Sequence, residues 1–333
     1  MNSILSPQAI ESKLRELLGQ SSLPLQRNRI YTVVSYCPAK VVSEYQSYFN
    51  FLSGKRPLRL ICIETASPNQ QLIEVSASCK LRYGIEEVCL EKIILRTPKN
   101  EDMMFDLWFP LVDHNLPAIL VWADSLAKLA NSCFKDEAVF DKIIINSEQS
   151  SFNLKAALQD QKILDQVFRG LTALGDLLWT KLSPLRIYIA RLFEQCGDLS
   201  LLSRIAYCSV QGLSVNHFLL TAFWLATRLN YKLKEVTEDG LIFIRPDKQS
   251  CLMSSQAALD TKIEIVFKID NGHTLSLEVK DNQKLDYLFN GRILMTQPFI
   301  SLSTPECLLI ELDSISSDPI YDEALRQTRN FHC

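Results

Sequence analysis

The sequence predicts an α/β protein of two domains, the first with a mainly parallel layered sheet and the second an α+β domain with a mainly antiparallel sheet. Three observations predict it. At 333 residues the chain is longer than a single core usually supports. Through its first half, short apolar runs alternate with segments of helical period, the pattern of strand–helix–strand units on a parallel sheet. In the second half that alternation gives way to two period-two runs joined by Asn271-Gly272, a hairpin signal. The change of pattern near residues 170–175 sets the domains at 1–171 and 172–333.

The elements follow in order. Residues 7–18 read as a helix. Ser6 is placed to cap it, and Pro7 fills the first turn, where a missing N–H costs nothing. Ile10, Leu14, Leu17 and Leu18 form one apolar face, and Gly19 suits the stop. Residues 30–36 are rich in strand formers, and a helix opening at Pro38 is expected to run to Leu52 and end at Gly54. Residues 58–64 read as a strand buried on both faces. Strand-like stretches follow at 72–81 and 86–95, a helix at 102–112, and strands at 118–122 and 142–146. Leu154, Ala157, Leu158, Leu164, Val167 and Phe168 recur at helical spacing over 153–168.

In the second half, Ser183-Pro184 opens a helix with Leu185, Ile189, Leu192 and Phe193 on one face. A strand is expected at 203–210, and a helix at 215–229 that is apolar nearly all round and therefore buried between layers. Ile263, Ile265, Phe267 and Ile269 alternate with mostly polar residues, and Leu275, Leu277 and Val279 alternate on the return. Asn271-Gly272 between them predicts a type I′ turn, with both central residues at positive φ.

Composition narrows the function classes. With 47% hydrophobic and 22% charged residues, the chain has the make-up of a soluble globular protein. A net charge of -3 leaves no electrostatic footprint for nucleic acid or an anionic membrane surface. The N-terminal residues lack the basic segment of a secretory signal. The most apolar stretch, 218–229, falls well short of the roughly twenty residues a membrane span needs. A cytoplasmic location is expected. The ten cysteines are scattered without C-x-x-C or zinc-finger spacing and read as buried, reduced thiols, with a redox switch as the sharper alternative.

Missing motifs narrow them further. The chain has 10 glycines and no G-x-G, so it carries neither the dinucleotide fingerprint nor a P-loop. No G-x-S-x-G elbow and no H-E-x-x-H occur either. His114, His217, His273 and His332 are dispersed, and His217, on an apolar helix, reads as a core or boundary residue. No enzyme activity, no cofactor and no metal site are expected.

The candidate functional residues lie in the middle of the chain. Trp122, Asp124, Ser125 and Ser147 follow the carboxyl ends of predicted parallel strands, where open α/β sheets bind ligands, and form a candidate ligand cleft. The competing reading is that Asp124 or Ser125 caps the following helix and that Trp122 packs in the core. Trp179, flanked by Thr180, Lys181 and Ser183, reads either as an interface anchor or as a plug between the two domains. Arg186 falls in the first turn of its helix, against the dipole, and so asks for a specific partner such as a carboxylate or a phosphate.

Four segments carry a resemblance. They are FDLWFPLVDHNLPAILVWADS (105–125), FDKIIINS (140–147), LGDLLWTKLSPLRIYIARLFE (174–194) and HFLLTAFWLATRLNYKL (217–233). In order and spacing they resemble the OpcA family. The matches are Asn115-Leu116-Pro117 with Trp122, Asp141 with Ser147, then Asp176, Leu177, Trp179, Thr180, Leu182, Pro184 and Arg186. The chain departs from the family pattern at Val121 and Leu185, where tryptophan is usual, at Lys181 in place of arginine and at Asn146 in place of aspartate.

The resemblance implies a non-catalytic assembly factor or allosteric activator that binds glucose-6-phosphate dehydrogenase. Asp176, Trp179, Thr180, Lys181 and Arg186 are then the candidate partner contacts. No matched motif contains a cysteine, so the family's link to thiol redox state transfers to no particular residue. The alternative is a sugar-phosphate-binding sensor or enzyme, in which Asp124, Ser125, Ser147, Lys181 and Arg186 converge on an anion at the carboxyl ends of the parallel strands.

Overall fold

The computed structural model describes residues 6–19, 29–65, 72–82, 86–97, 102–132, 134, 139–149, 153–167, 172–238, 240–256, 262–280 and 284–330. The chain divides into two compact units, each assembled from separate stretches. The first takes Met1–Asn146, Val167–Asp176 and Thr304–Ser317; the second takes Ser147–Gln166, Leu177–Ser303 and Asp318–Cys333. The boundary read from the sequence, between 171 and 172, falls just before the last strand of the first unit.

The first unit holds a seven-stranded sheet. Its strands are β1 (Tyr31–Pro38), β2 (Leu58–Thr65), β3 (Leu72–Arg82), β4 (Glu86–Thr97), β5 (Ala118–Trp122), β6 (Lys142–Ile145) and β7 (Ala173–Asp176), in the order β3-β4-β2-β1-β5-β6-β7. Every neighbouring pair is parallel except β3–β4. Val33, Leu60, Ile61, Ile93, Leu120 and Ile144 are fully buried, as continuous apolar strands of a parallel sheet should be. β7 was not anticipated: ALGD is short, and its glycine and aspartate weaken the strand signal.

Helix α1 (Pro7–Gly19) begins as expected, with Ser6 Oγ accepting from the Ala9 N–H at 3.3 Å. Helix α2 (Val42–Leu52) begins four residues later than expected. Pro38 closes β1 instead, since its fixed φ also suits an extended strand end, and its carbonyl accepts from Val41 N–H at 3.0 Å in the intervening turn. The remaining helices of the unit are α3 (Asp102–Trp108), α4 (Leu126–Asn131) and, late in the chain, α9 (Thr304–Asp313).

Two buried cations tie the first unit together. Arg59 on β2, 2% exposed, donates to Glu91 on β4 at 2.8 Å, to the Leu111 carbonyl at 2.9 Å and to Glu11 on α1. Lys142, which opens β6 and is 1% exposed, donates to Glu311 Oε2 and to the Ser314 carbonyl, both at 2.6 Å, and to the Glu311 carbonyl at 2.8 Å. A charge so deeply buried is tolerable only with that degree of pairing. Gly175 on β7 leaves the space: a Cβ there would lie 2.3 Å from Glu311 Oε2 and 2.7 Å from Lys142 Cε.

The thiol expectation needs one correction. Cys79 and Cys89 stand directly opposite each other in the β3–β4 register and form a disulfide. Antiparallel pairing brings the two sulfurs together at a sequence separation of 10, which matches no short cysteine motif. Cys37, Cys62, Cys208 and Cys251 are free and buried, Cys307 is buried, and Cys196 is free and half-buried. Cys133, Cys333 and His332 lie outside the described residues, as do Phe168 and the side chain of Val167.

The second unit is built on an eight-stranded sheet. Its strands are β8 (Ile205–Gln211), β9 (Lys232–Val236), β10 (Gly240–Ile244), β11 (Ser250–Gln256), β12 (Ile263–Ile269), β13 (Thr274–Lys280), β14 (Lys284–Phe289) and β15 (Arg292–Pro298), in the order β15-β14-β13-β12-β8-β11-β10-β9. Only β8–β11 is parallel. The helices are α5 (Leu154–Val167), α6 (Leu177–Lys181), α7 (Ser183–Gln195), α8 (Val215–Arg228) and α10 (Pro319–Leu325). Ile265, Phe267, Leu275 and Leu277 form the buried face, where Phe193 of α7 meets Phe267 edge-on at 5.2 Å. As expected, α8 is buried almost all round.

The hairpin between β12 and β13 is present, with Ile265 opposite Leu277 and Phe267 opposite Leu275. Its turn differs from the prediction. The loop is wider, with Gly272 N–H donating to the Ile269 carbonyl at 2.9 Å, and of its central pair only Gly272 has positive φ, at 84°. The type I′ turn occurs instead at Asn290-Gly291, between β14 and β15, where φ is 48° and 75°.

Candidate functional site

In a sheet of this order the crevice for a ligand opens between β1 and β5, at their carboxyl ends. Here that place is filled by rings. Tyr36 stacks on Trp122 at 4.5 Å, Phe134 lies 5.5 Å from Tyr36 and 5.7 Å from Trp122, and all three are buried. Trp122 Nε1 donates to the Ser125 carbonyl at 3.1 Å.

Asp124 accepts from the Ser125 N–H and from Lys128 Nζ, each at 2.7 Å. Ser125 takes the N-cap position of α4 without a side-chain capping bond. At the end of β2, Glu64 accepts from Gln46 at 2.8 Å and from Arg96 at 2.9 Å. The structure thus brings Trp122, Asp124 and Ser125 together, engaged with one another and with Lys128. Ser147, the fourth cleft candidate, belongs to the second unit and is buried.

Burial also quiets the thiols. It pushes Cys37 and Cys251 up to about 12 and raises Cys62 and Cys208, so these sulfurs stay protonated and poorly nucleophilic at neutral pH. Among the described residues no group of three His, Cys, Asp or Glu side chains could hold a metal ion.

The partner candidates fall on both sides of one short connection. Asp176 ends β7 in the first unit and is buried; Trp179, Thr180, Lys181 and Arg186 belong to the second. Trp179 is 2% exposed, donates through Nε1 to Asp318 Oδ2 at 2.7 Å, and lies 5.0 Å from the Tyr321 ring. Asp318 Oδ1 meanwhile accepts from the Ile320 N–H at 2.8 Å, capping α10. The Trp179 side chain is therefore a packing element of its own unit.

Arg186 stacks 4.0 Å over the Trp179 ring and donates from Nη1 to the Trp179 carbonyl at 2.7 Å. Its partner is thus a ring and a carbonyl rather than a carboxylate. Burial lowers its pKa to about 10, with the Asp318 charge opposing that shift.

Lys181 leads to a residue the sequence reading missed. Its Nζ donates to both carboxylate oxygens of Glu148, at 2.9 and 2.8 Å, and His217 Nε2 lies 3.6 Å from the same carboxylate. Ser214 Oγ is 2.7 Å from His217 Nδ1. Burial pushes the imidazole down to about 4, with Glu148 opposing and Lys181 reinforcing the shift, so it is neutral at physiological pH. Glu148 sits in a 3₁₀ turn, Ser147–Gln149, and no motif links it to Lys181 or His217.

The family model described as the glucose-6-phosphate dehydrogenase subunit N-terminal domain matches residues 50–162, and the one described as its C-terminal domain matches residues 172–325. The chain belongs to the OpcA family. The OpcA match extends well beyond the segments at 105–233 that carried the resemblance. No curated protein sequence matches the chain.

Among solved structures, the KijD10 3-ketoreductase from Actinomadura kijaniata, in complex with NADP and TDP-benzene, is 8% identical. The alignment covers 90% of this chain and 95% of that one, with a TM-score of 0.50. An oxidoreductase from Sinorhizobium meliloti is 11% identical over 91% of this chain and 95% of that one, with a TM-score of 0.49. At such identities a likeness concerns the fold alone. Among the described residues of this OpcA-family chain, no helix is long and apolar enough to cross a membrane.

Proposed function

We propose that this chain binds glucose-6-phosphate dehydrogenase as a non-catalytic assembly factor or allosteric activator and works in the cytoplasm. The observation that carries this reading is the pair of family matches, one in each half of the chain, both described by that dehydrogenase. The site chemistry supports it. The polar groups at the β1–β5 crevice are engaged with one another, and the buried thiols are held protonated.

Lys181 and Arg186 are the half-exposed members of the candidate contact set and would meet the partner. Trp179, buried beneath the Arg186 guanidinium, would hold that group in place; Asp176 and Thr180, also buried, would act through packing. Size-exclusion chromatography of the chain with the purified dehydrogenase tests the reading. A co-eluting complex, or a change in dehydrogenase oligomeric state or activity, is expected. Separate elution at about 10 μM of each, a concentration at which a micromolar complex persists, together with unchanged activity, removes it.

A further inference from the structure

Beyond partner binding, the second unit holds a cluster of which the proposed function uses Lys181 alone. Lys181 at the end of α6, Glu148 in its 3₁₀ turn and His217 in the first turn of α8 meet within hydrogen-bond or ion-pair distance. In the chain, Glu148 and Lys181 each follow shortly after the carboxyl end of one of the adjacent parallel strands β6 and β7. We propose that Lys181, His217 and the first turn of α8 form a binding site for a phosphate monoester, which the Glu148 carboxylate occupies when no ligand is bound.

The Glu148 carboxylate shows which species the site accepts. Both oxygens of one carboxylate accept from the Lys181 ammonium, and one lies 3.6 Å from His217 Nε2 in the first turn of a 14-residue helix, the end at which the dipole favours negative charge. Ser214, the N-cap residue, makes no capping bond and lies instead against His217. Asn216, one residue before His217, is 1% exposed, yet neither Oδ1 nor Nδ2 has a hydrogen-bond partner. A buried primary amide without partners is rare enough to demand a cause, and a bound oxyanion or its water would supply one.

Glu148 is also displaceable. Its side chain is 30% exposed, and it belongs to a turn of three residues. A phosphate monoester carries a charge of about −1.5 to −2 at neutral pH and so draws the ammonium more strongly than one carboxylate does.

The test needs no dehydrogenase, so its outcome is separate from that of the partner reading. Inorganic phosphate is added at constant ionic strength while the His217 ring protons, assigned with His217→Gln, are followed by NMR across pH. Phosphate should move those resonances and lift the His217 midpoint above about 4. Glu148→Gln, which removes the internal competitor, should bind phosphate about tenfold more tightly. Lys181→Met should lose the response. Phosphate binding in Glu148→Gln no tighter than in the parent, or a Lys181→Met variant that keeps its affinity, overturns the proposal. Circular dichroism checks that each variant is folded, and if Lys181→Met is not, the Glu148→Gln comparison decides alone.

Discussion

Gly175 shows how one residue can be fixed by partners far away in the chain. Any side chain there collides with the Lys142–Glu311 pair, whose members come from β6 and α9. Gly175→Ala should therefore destabilise the protein by about 1–3 kcal/mol through overpacking, read as a lower urea midpoint. Trp179 and Arg186 are in contact but should separate in their effects. Trp179→Ala empties a buried site and should cost about 3–5 kcal/mol of stability. Arg186→Ala should leave the melting temperature nearly unchanged while weakening dehydrogenase binding by about 1–4 kcal/mol. Unaltered affinity in folded Arg186→Ala protein would remove Arg186 from the contact.

His217 gives a pH signature. Its folded pKa, about 4, lies below the ordinary 6.5, so between those values the unfolded chain binds more protons than the folded one. Stability should thus fall as pH drops from 6.5 towards 4, by on the order of 2 kcal/mol, and the fall should be smaller in His217→Gln. Melting curves of both proteins across that range provide the comparison.

At the scale of elements, what could be read from the sequence was whatever local periodicity encodes. The apolar face shared by β12 and β13 follows from alternation, and the burial of α8 from its uniform apolarity. Two identical dipeptides mark the limit. Asn271-Gly272 and Asn290-Gly291 both join antiparallel strands, yet only the second adopts the type I′ turn. Asp270 and His273 enter the first loop because β12 ends at Ile269 and β13 starts at Thr274. That outcome depends on pairing across the sheet, which the dipeptide does not report. Gly291→Ala, at a φ of 75°, should cost about 1–2 kcal/mol, checked by thermal melting.

The Cys79–Cys89 bond is non-local in the same sense. It closes a separation of 10 residues at the β3–β4 edge, where chain-entropy reasoning gives about 2–3 kcal/mol of stabilisation. Cys79→Ser should lose that much, with faster amide exchange in β3 and β4 and little change in β6. The candidate contacts were legible because family motifs mark Trp179 and Arg186. Their environment was not, since it depends on Asp318 and Tyr321, more than a hundred residues further along.

At the scale of the whole molecule, the two sheet types are where strand–helix alternation and hairpin signals placed them. A sequence divided by composition suggests one cut, whereas the chain passes between the units after residues 146, 166, 176, 303 and 317. Contacts such as Lys142 with Glu311 decide that division, and they leave no trace in local pattern. The expected complex with glucose-6-phosphate dehydrogenase would use the intact chain, so co-elution should be tried with the full protein rather than with either half.

The place of α9 bears on biosynthesis. Translation delivers Lys142 of β6 well before Glu311 and Ser314, which receive its ammonium and follow 169 and 172 residues later. Until then the nascent first unit carries a lysine bound for a buried position with none of its acceptors yet made. Its final closure therefore waits for α9, however early its other strands pair. A ribosome-stalled chain ending at residue 303 should remain open to protease around β6 and β7, and protection should appear once α9 has cleared the exit tunnel.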